Sequence, residues 1–116
     1  MGTEPTIWTR IATAPGWQPL YRQLRRDVAA LDPAAQIRSR IGTGMLHLHV
    51  DQAEPTVVQR VGDLCFAAEG ASMRTCQVCS RAGQPRRLGE ERIAALCDRH
   101  AAMAGAVLDP EGKEGS

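Results

Sequence analysis

From Trp17 onward the apolar residues fall at Trp17, Leu20, Tyr21, Leu24, Val28 and Leu31. Gaps of three and four place all six on one face of a helix. Pro19 suits the first turn of that helix, where a missing N–H costs no bond, and Asp32-Pro33 ends it. Gln36–Ile41 and Met45–Val50 then read as two extended runs around Gly42-Thr43-Gly44, the pattern of a β-hairpin. In the second run Leu46, Leu48 and Val50 alternate with Met45, His47 and His49, so the leucines are expected inside and the histidines on a solvated face. Asp51 and Glu54-Pro55 predict the start of a second helix, whose apolar stripe is Val57, Val58, Val61, Leu64, Cys65, Ala68 and Ala71 and which fades near Gly70–Arg74. The residues before Trp17 show no clear period and read as an arm, with Ile7, Trp8 and Ile11 able to dock on something.

After Met73 the pattern changes. Cys76-x2-Cys79 is followed by seventeen residues and then Cys97-x2-His100. Two residues between cysteines let a tight turn aim both sulfurs at one point. A second pair about 15–20 residues later completes a tetrahedron without forcing the chain between. The Gly/Pro/Arg stretch Ser80–Gly89 and the apolar Ile93–Leu96 leave room for a returning hairpin. Cys97 and His100 then fall in the first turn of a last helix, expected to run to Leu108, where the helix dipole favours thiolate. The expectation is one structural Zn2+ held by Cys76, Cys79, Cys97 and His100. Four good ligands close the shell and leave no open position for catalysis. Cys65, inside a helical stripe, reads as a small buried hydrophobe.

Composition sharpens this picture in three ways. Only four residues of 116 are aromatic, so aliphatic side chains must fill the core, and metal binding would add to the folding energy. Fourteen basic residues against thirteen acidic ones give +1, which excludes a global electrostatic case for nucleic acid or membrane. No stretch approaches a membrane span and the N-terminus carries no signal-peptide run, so the expectation is a cytoplasmic protein with reduced thiols. The N-terminal Met1-Gly2 with Thr6 formally matches the myristoylation pattern, a match too short to count. Thirteen of the basic residues are arginine. Arg22, Arg25 and Arg26 line the polar side of the first helix, and Arg81, Arg86 and Arg87 lie in the zinc loop, where they could contact phosphates. His47-x-His49 has chelating spacing but no third ligand near it in sequence. The histidine on the hairpin that a finger nuclease needs, the His-x-Glu of zinc deaminases and any Ser/His/Asp set are all missing.

Gly16-Trp17, the segment Gly44–Asp51, Ala67-Ala68-Glu69, Arg74–Cys79 and Leu96–Ala101 together resemble a family of small hypothetical proteins from bacterial genomes and phage-like elements. The resemblance covers about residues 16–102 and implies a zinc-binding module without an assigned reaction. The relatives carry Arg and Tyr where this chain has His47 and His49, which speaks against a second metal there.

The expected architecture is α+β: a helix–β-hairpin–helix region over residues 16–75, followed by a C-terminal treble-clef-like zinc finger over 76–108. An N-terminal arm (1–15) precedes it and a flexible tail (109–116) follows. The expected role is a non-enzymatic interaction or regulatory module with a protein partner. The alternatives are a DNA- or RNA-binding zinc protein working through Arg81, Arg86 and Arg87 and, more weakly, a metal-dependent hydrolase or nuclease.

Overall fold

The computed structural model describes residues 6–89, 92–105 and, for the backbone, 107–108. The 3.6-residue period after Trp17 forms helix α2, Gln18–Leu31, and Asp32 ends it in extended conformation. The two extended runs form strands β1, Gln36–Gly42, and β2, Met45–Asp51, paired antiparallel with Ser39 opposite Leu48. Helix α3, Val58–Met73, follows. Leu24 and Val28 of α2 pack with Val61, Cys65 and Ala68 of α3, while Ile37, Leu48 and Val50 of the hairpin close the cluster from below. Leu46 is buried and His49 exposed, as the alternation predicts.

The second helix starts later than its acidic and proline signals suggest. Val58, counted in the apolar stripe, sits in its first turn and is exposed. The segment before it is held instead by Asp32, a buried carboxylate whose two oxygens accept from the N–H groups of Ala34 and Glu54 at 3.0 and 2.8 Å. Two charge-assisted bonds offset the desolvation of that carboxylate and tie the end of α2 to the approach of α3.

Within the stretch read as an arm, Ile7–Thr13 form a helix, α1, capped by the Thr6 side chain and ended by Ala14 in left-handed conformation. Seven residues give only the pair Ile7 and Ile11 on one face, too few for a visible period. A helix this short is unstable alone and forms because it is packed. It packs on the metal-ligand region: Ile11 is buried with Cys76, Val78, Ala94, Leu96 and Ala101.

That region is a second hairpin. Strand β3, Gln84–Arg87, pairs antiparallel with β4, Ile93–Leu96, and helix α4, Asp98–Ala104, comes next. The expectation that this last helix reaches Leu108 is corrected. Gly105 adopts φ +68, a left-handed conformation that costs glycine little, and its N–H returns to the carbonyls of Ala101 and Ala102. The backbone of Val107–Leu108 then pairs with β3 as strand β5, giving the order β4-β3-β5. The tail, 109–116, lies outside the described residues.

Gly16 and Trp17 join the two halves. A Cβ on Gly16 would lie 2.2 Å from the carbonyl oxygen of Cys76 and 2.7 Å from the Ser80 nitrogen, so only glycine admits this approach. Trp17, 2 % exposed, donates its indole N–H to the carbonyls of Ser72 and Thr75 at 3.1 and 2.9 Å, fixing the exit of α3. Two stability losses are expected. Leu24→Ala should cost about 2–5 kcal/mol by leaving a cavity among Val28, Val61 and Cys65. Gly16→Ala should cost about 1–3 kcal/mol, because backbone on both sides blocks the new methyl. Urea unfolding of each variant measures both, and an unchanged midpoint for Gly16→Ala would show that the joint is not as tight as described.

Candidate metal centre

Four donors meet where the two halves join. Cys76 and Cys79 lie on a turn that leaves α3. The N–H of Ser80 bonds the Cys76 carbonyl at 3.0 Å, the N–H of Cys76 bonds the Arg81 carbonyl at 2.7 Å, and Ser80 takes φ +74 to close the loop. Cys97 is the N-cap of α4 and His100 lies in its first turn. The Sγ and Nδ1 atoms of these four residues all lie within 4.8 Å of one another. The separations are 3.8 Å for Cys79 to Cys97, 3.6 Å for Cys76 to His100 and 3.3 Å for Cys97 to His100. A tetrahedral zinc with bonds of about 2.3 Å to sulfur and about 2.0 Å to nitrogen spaces its donors about 3.8 Å and about 3.5 Å apart. The donor set therefore fits Zn2+ in number, chemistry and spacing. Among the described residues this is the one such cluster.

The electrostatics of the cluster point the same way. Burial pushes the Cys79 thiol up, and the sulfurs of Cys76 and Cys97 add to this against an N–H of Arg81 that favours thiolate. Burial also acts against the thiolate of Cys97, but the backbone N–H of His100, the thiols of Cys79 and Cys76 and the backbone N–H of Arg99 together outweigh it and hold Cys97 below the usual thiol range. Burial lowers His100, helped by the positive charges of Arg99, Arg10 and Arg81, so the imidazole is neutral at neutral pH. A neutral imidazole is what a metal needs, and crowded sulfurs ionise together only around a cation.

Around the ligands the fold is built of backbone bonds. Gln77, between the first two cysteines and 3 % exposed, donates its side-chain amide to the Ile11 carbonyl at 2.7 Å and accepts from the Ala95 N–H at 2.8 Å. Its own N–H bonds the Ala95 carbonyl at 2.8 Å, and its carbonyl receives the Gly16 N–H at 2.7 Å. Ser80 Oγ donates to the Gly16 carbonyl at 2.7 Å. One residue between two ligands, through its side chain and its backbone, thus ties α1, the joint and β4 to the turn. Nothing in the sequence flagged Gln77, because a glutamine between two cysteines carries no pattern of its own.

The arginines do not form the loop cluster expected from the sequence. Arg86 and Arg87 lie on β3, and Arg86 is 7 % exposed. It donates to the Leu96 carbonyl at 3.2 Å and to Asp98 at 2.6 Å, so it is committed within the protein. Adjacent strand residues point to opposite faces, so Arg86 and Arg87 cannot present one surface with Arg81. Beside the metal ligands, Arg81, Arg86, Asp98 and Arg99 instead line an open depression of about 460 Å³. The histidines of the first hairpin behave as a solvated face: His47 Nε2 lies 3.1 Å from the Gly42 carbonyl, and His49 Nε2 lies 3.1 Å from Asp51. No third ligand joins them among the described residues. Cys65 is buried in the α2–α3 core, where burial and the nearby Glu69 raise its pKa.

No protein-family model matches the chain, and comparison with curated proteins and with solved structures gives no match either. The family resemblance therefore gains no support beyond the cysteine and histidine cluster itself. No helix among the described residues is long and apolar enough to cross a membrane.

Four outcomes are expected, three at this centre and one on the first hairpin. The purified protein should carry one equivalent of zinc by metal analysis. Cys76→Ser should lose much of a metal contribution that is on the order of 10 kcal/mol in zinc-finger peptides. Gln77→Ala should cost about 2–6 kcal/mol in urea unfolding, since it strands two buried backbone groups at about 1–3 kcal/mol each. His49→Ala, on the exposed face, should cost less than about 0.5 kcal/mol.

Proposed function

We propose that this chain is a non-enzymatic interaction module stabilised by one structural zinc in a treble-clef-like element. The observation that carries the reading is the donor set. Cys76, Cys79, Cys97 and His100 supply four ligand atoms at tetrahedral spacing, so a bound zinc keeps no position for water or substrate. The centre lies in the joint on which both halves rest, which is where a structural metal is most useful. Three thiolates need a reducing compartment, in keeping with the cytoplasm. The family resemblance adds an origin in bacterial or phage-like elements.

A second reading, nucleic-acid binding, draws on the depression lined by Arg81, Arg86 and Arg99. It is the weaker one. Arg86 is taken up by Leu96 and Asp98, the net charge is +1, and no aromatic residue lies between Cys76 and Leu108 for base stacking.

Two measurements test the choice. Cobalt(II) in place of zinc should give a tetrahedral four-coordinate spectrum that added azide leaves unchanged; a shift with azide would reveal an open position and reopen the hydrolase reading. Binding to a duplex or single-stranded oligonucleotide should be weak at low salt, with a log–log salt slope near about −2 for two phosphate contacts, and should vanish near about 150 mM. Sub-micromolar affinity at that salt would establish the nucleic-acid reading instead.

A further inference from the structure

The two edges of the first hairpin are treated differently. On β2 the outward N–H groups are those of Leu46, Leu48 and Val50. The first bonds Ser72 Oγ at 2.9 Å and the second bonds Glu69 Oε2 at 2.8 Å, so α3 covers that edge at these two residues. In an antiparallel ladder, residues directly opposite point their backbone groups the same way, both inward or both outward. Since Leu46 and Leu48 point outward, so do their partners Ile41 and Ser39, and Ile37 two residues on. Tyr21 donates its hydroxyl to the outward Ile37 carbonyl at 3.3 Å. The N–H groups of Ile37, Ser39 and Ile41 have no backbone or side-chain acceptor among the described residues. Ser39 is exposed and Ile41 is 40 % exposed, so the edge stands open.

The surroundings of this edge have a definite chemistry. On the inner face, Trp17, Tyr21, Ser39, Ile41 and Leu46 line a depression of about 180 Å³. On the outer face, Arg38, Arg40, His47 and His49 border another of about 530 Å³. Arg25 stands at the start of the strand with Gln36 and Ile37. None of these linings contains a carboxylate. Asp51, on the outer face, is already held by Arg38 at 2.8 Å and His49 at 3.1 Å.

From this we infer that β1 binds an extended segment of a partner protein as a third strand, and that the segment alternates acidic with apolar residues. Its backbone would pair with Ile37, Ser39 and Ile41. Its apolar side chains would enter the Trp17–Tyr21 depression, and its carboxylates would lie opposite Arg38 and Arg40. Charge argues against a second copy as the occupant: an antiparallel pair of β1 strands centred on Ser39 sets Arg38 opposite Arg40 of the other copy, like charge against like. A nucleic acid could use the arginines but has no use for a row of backbone N–H groups beside an apolar depression. The inference rests on the interaction-module reading and specifies its partner.

The test uses the full zinc-loaded chain and a seven-residue peptide alternating valine with glutamate. NMR should show shifts and slowed hydrogen exchange at the amides of Ile37, Ser39 and Ile41. The matching valine–lysine peptide should bind at least about tenfold more weakly. Ser39→Pro removes an outward N–H and leaves the β1–β2 ladder intact, as proline is accepted on an edge strand. It should weaken the glutamate peptide at least about tenfold. Arg40→Glu should bring the two peptides to similar affinity. Equal binding of both peptides to the unaltered protein, binding that survives Ser39→Pro, shifts at other sites, or protection of these amides by self-association would each overturn the inference. An oligonucleotide that shifts the same amides at about 150 mM salt would overturn it and, at sub-micromolar affinity, the module reading as well. Failure of both peptides with weak oligonucleotide binding would remove this inference alone.

Discussion

The contact on which most of the structure depends is the approach of Gly16 to the turn from Cys76 to Ser80. Its N–H bonds the Gln77 carbonyl and its own carbonyl accepts from Ser80 Oγ, with no room for a side chain between. Through it the start of α2 is fastened to the turn that carries two of the four donors. Trp17, the next residue, fastens the exit of α3 to the same place. The metal-ligand element is therefore not an appendage to a helical core. Its turn is one wall of the joint, and Gln77 on that turn binds α1 and β4 to it.

This arrangement explains how a chain with four aromatic residues can hold a fold. The apolar residues fall into separate clusters: one between α2, α3 and the first hairpin, one around the metal ligands, and a small one with Ala14, Trp17, Leu46 and Ala95 between them. None is large. They are linked by buried backbone bonds through Gln77 and Ser72, each of which would leave orphaned donors or acceptors if its partners separated. A metal ion suited to the four donors would clamp the region where these links meet, so its binding energy would support both halves.

The same packing sets which surface is open. α3 lies against β2 and supplies Ser72 and Glu69 to the outward N–H groups of Leu46 and Leu48, which leaves β1 as the outer strand of a two-stranded sheet. Natural edge strands are protected by charge, and Arg38 and Arg40 serve that purpose against another copy of the chain. Against an acidic strand the same two residues become attractive.

The α2 face from Leu20 to Leu31, the β1–β2 hairpin with its leucines inward, and the four metal donors were legible along the chain, because each rests on a local period or spacing that physics ties to one geometry. Helix α1 was not, since Ile7 and Ile11 make a single pair and the partners they pack with, from Cys76 onward, lie far away in sequence. Along the chain nothing separates Val107–Leu108 from the helix before them, and only Gly105 turns the chain back to β3. Arg86 looked like its neighbours Arg81 and Arg87, yet folding buries it against Leu96 and Asp98 and leaves Arg81 outside. By itself, then, the sequence determined α2, the first hairpin and the four donors of the site, which rest on patterns of residues close along the chain. Which edge is open, which arginine is free and which glutamine holds the joint were decided by tertiary structure, because each depends on contacts between segments that local spacing does not encode.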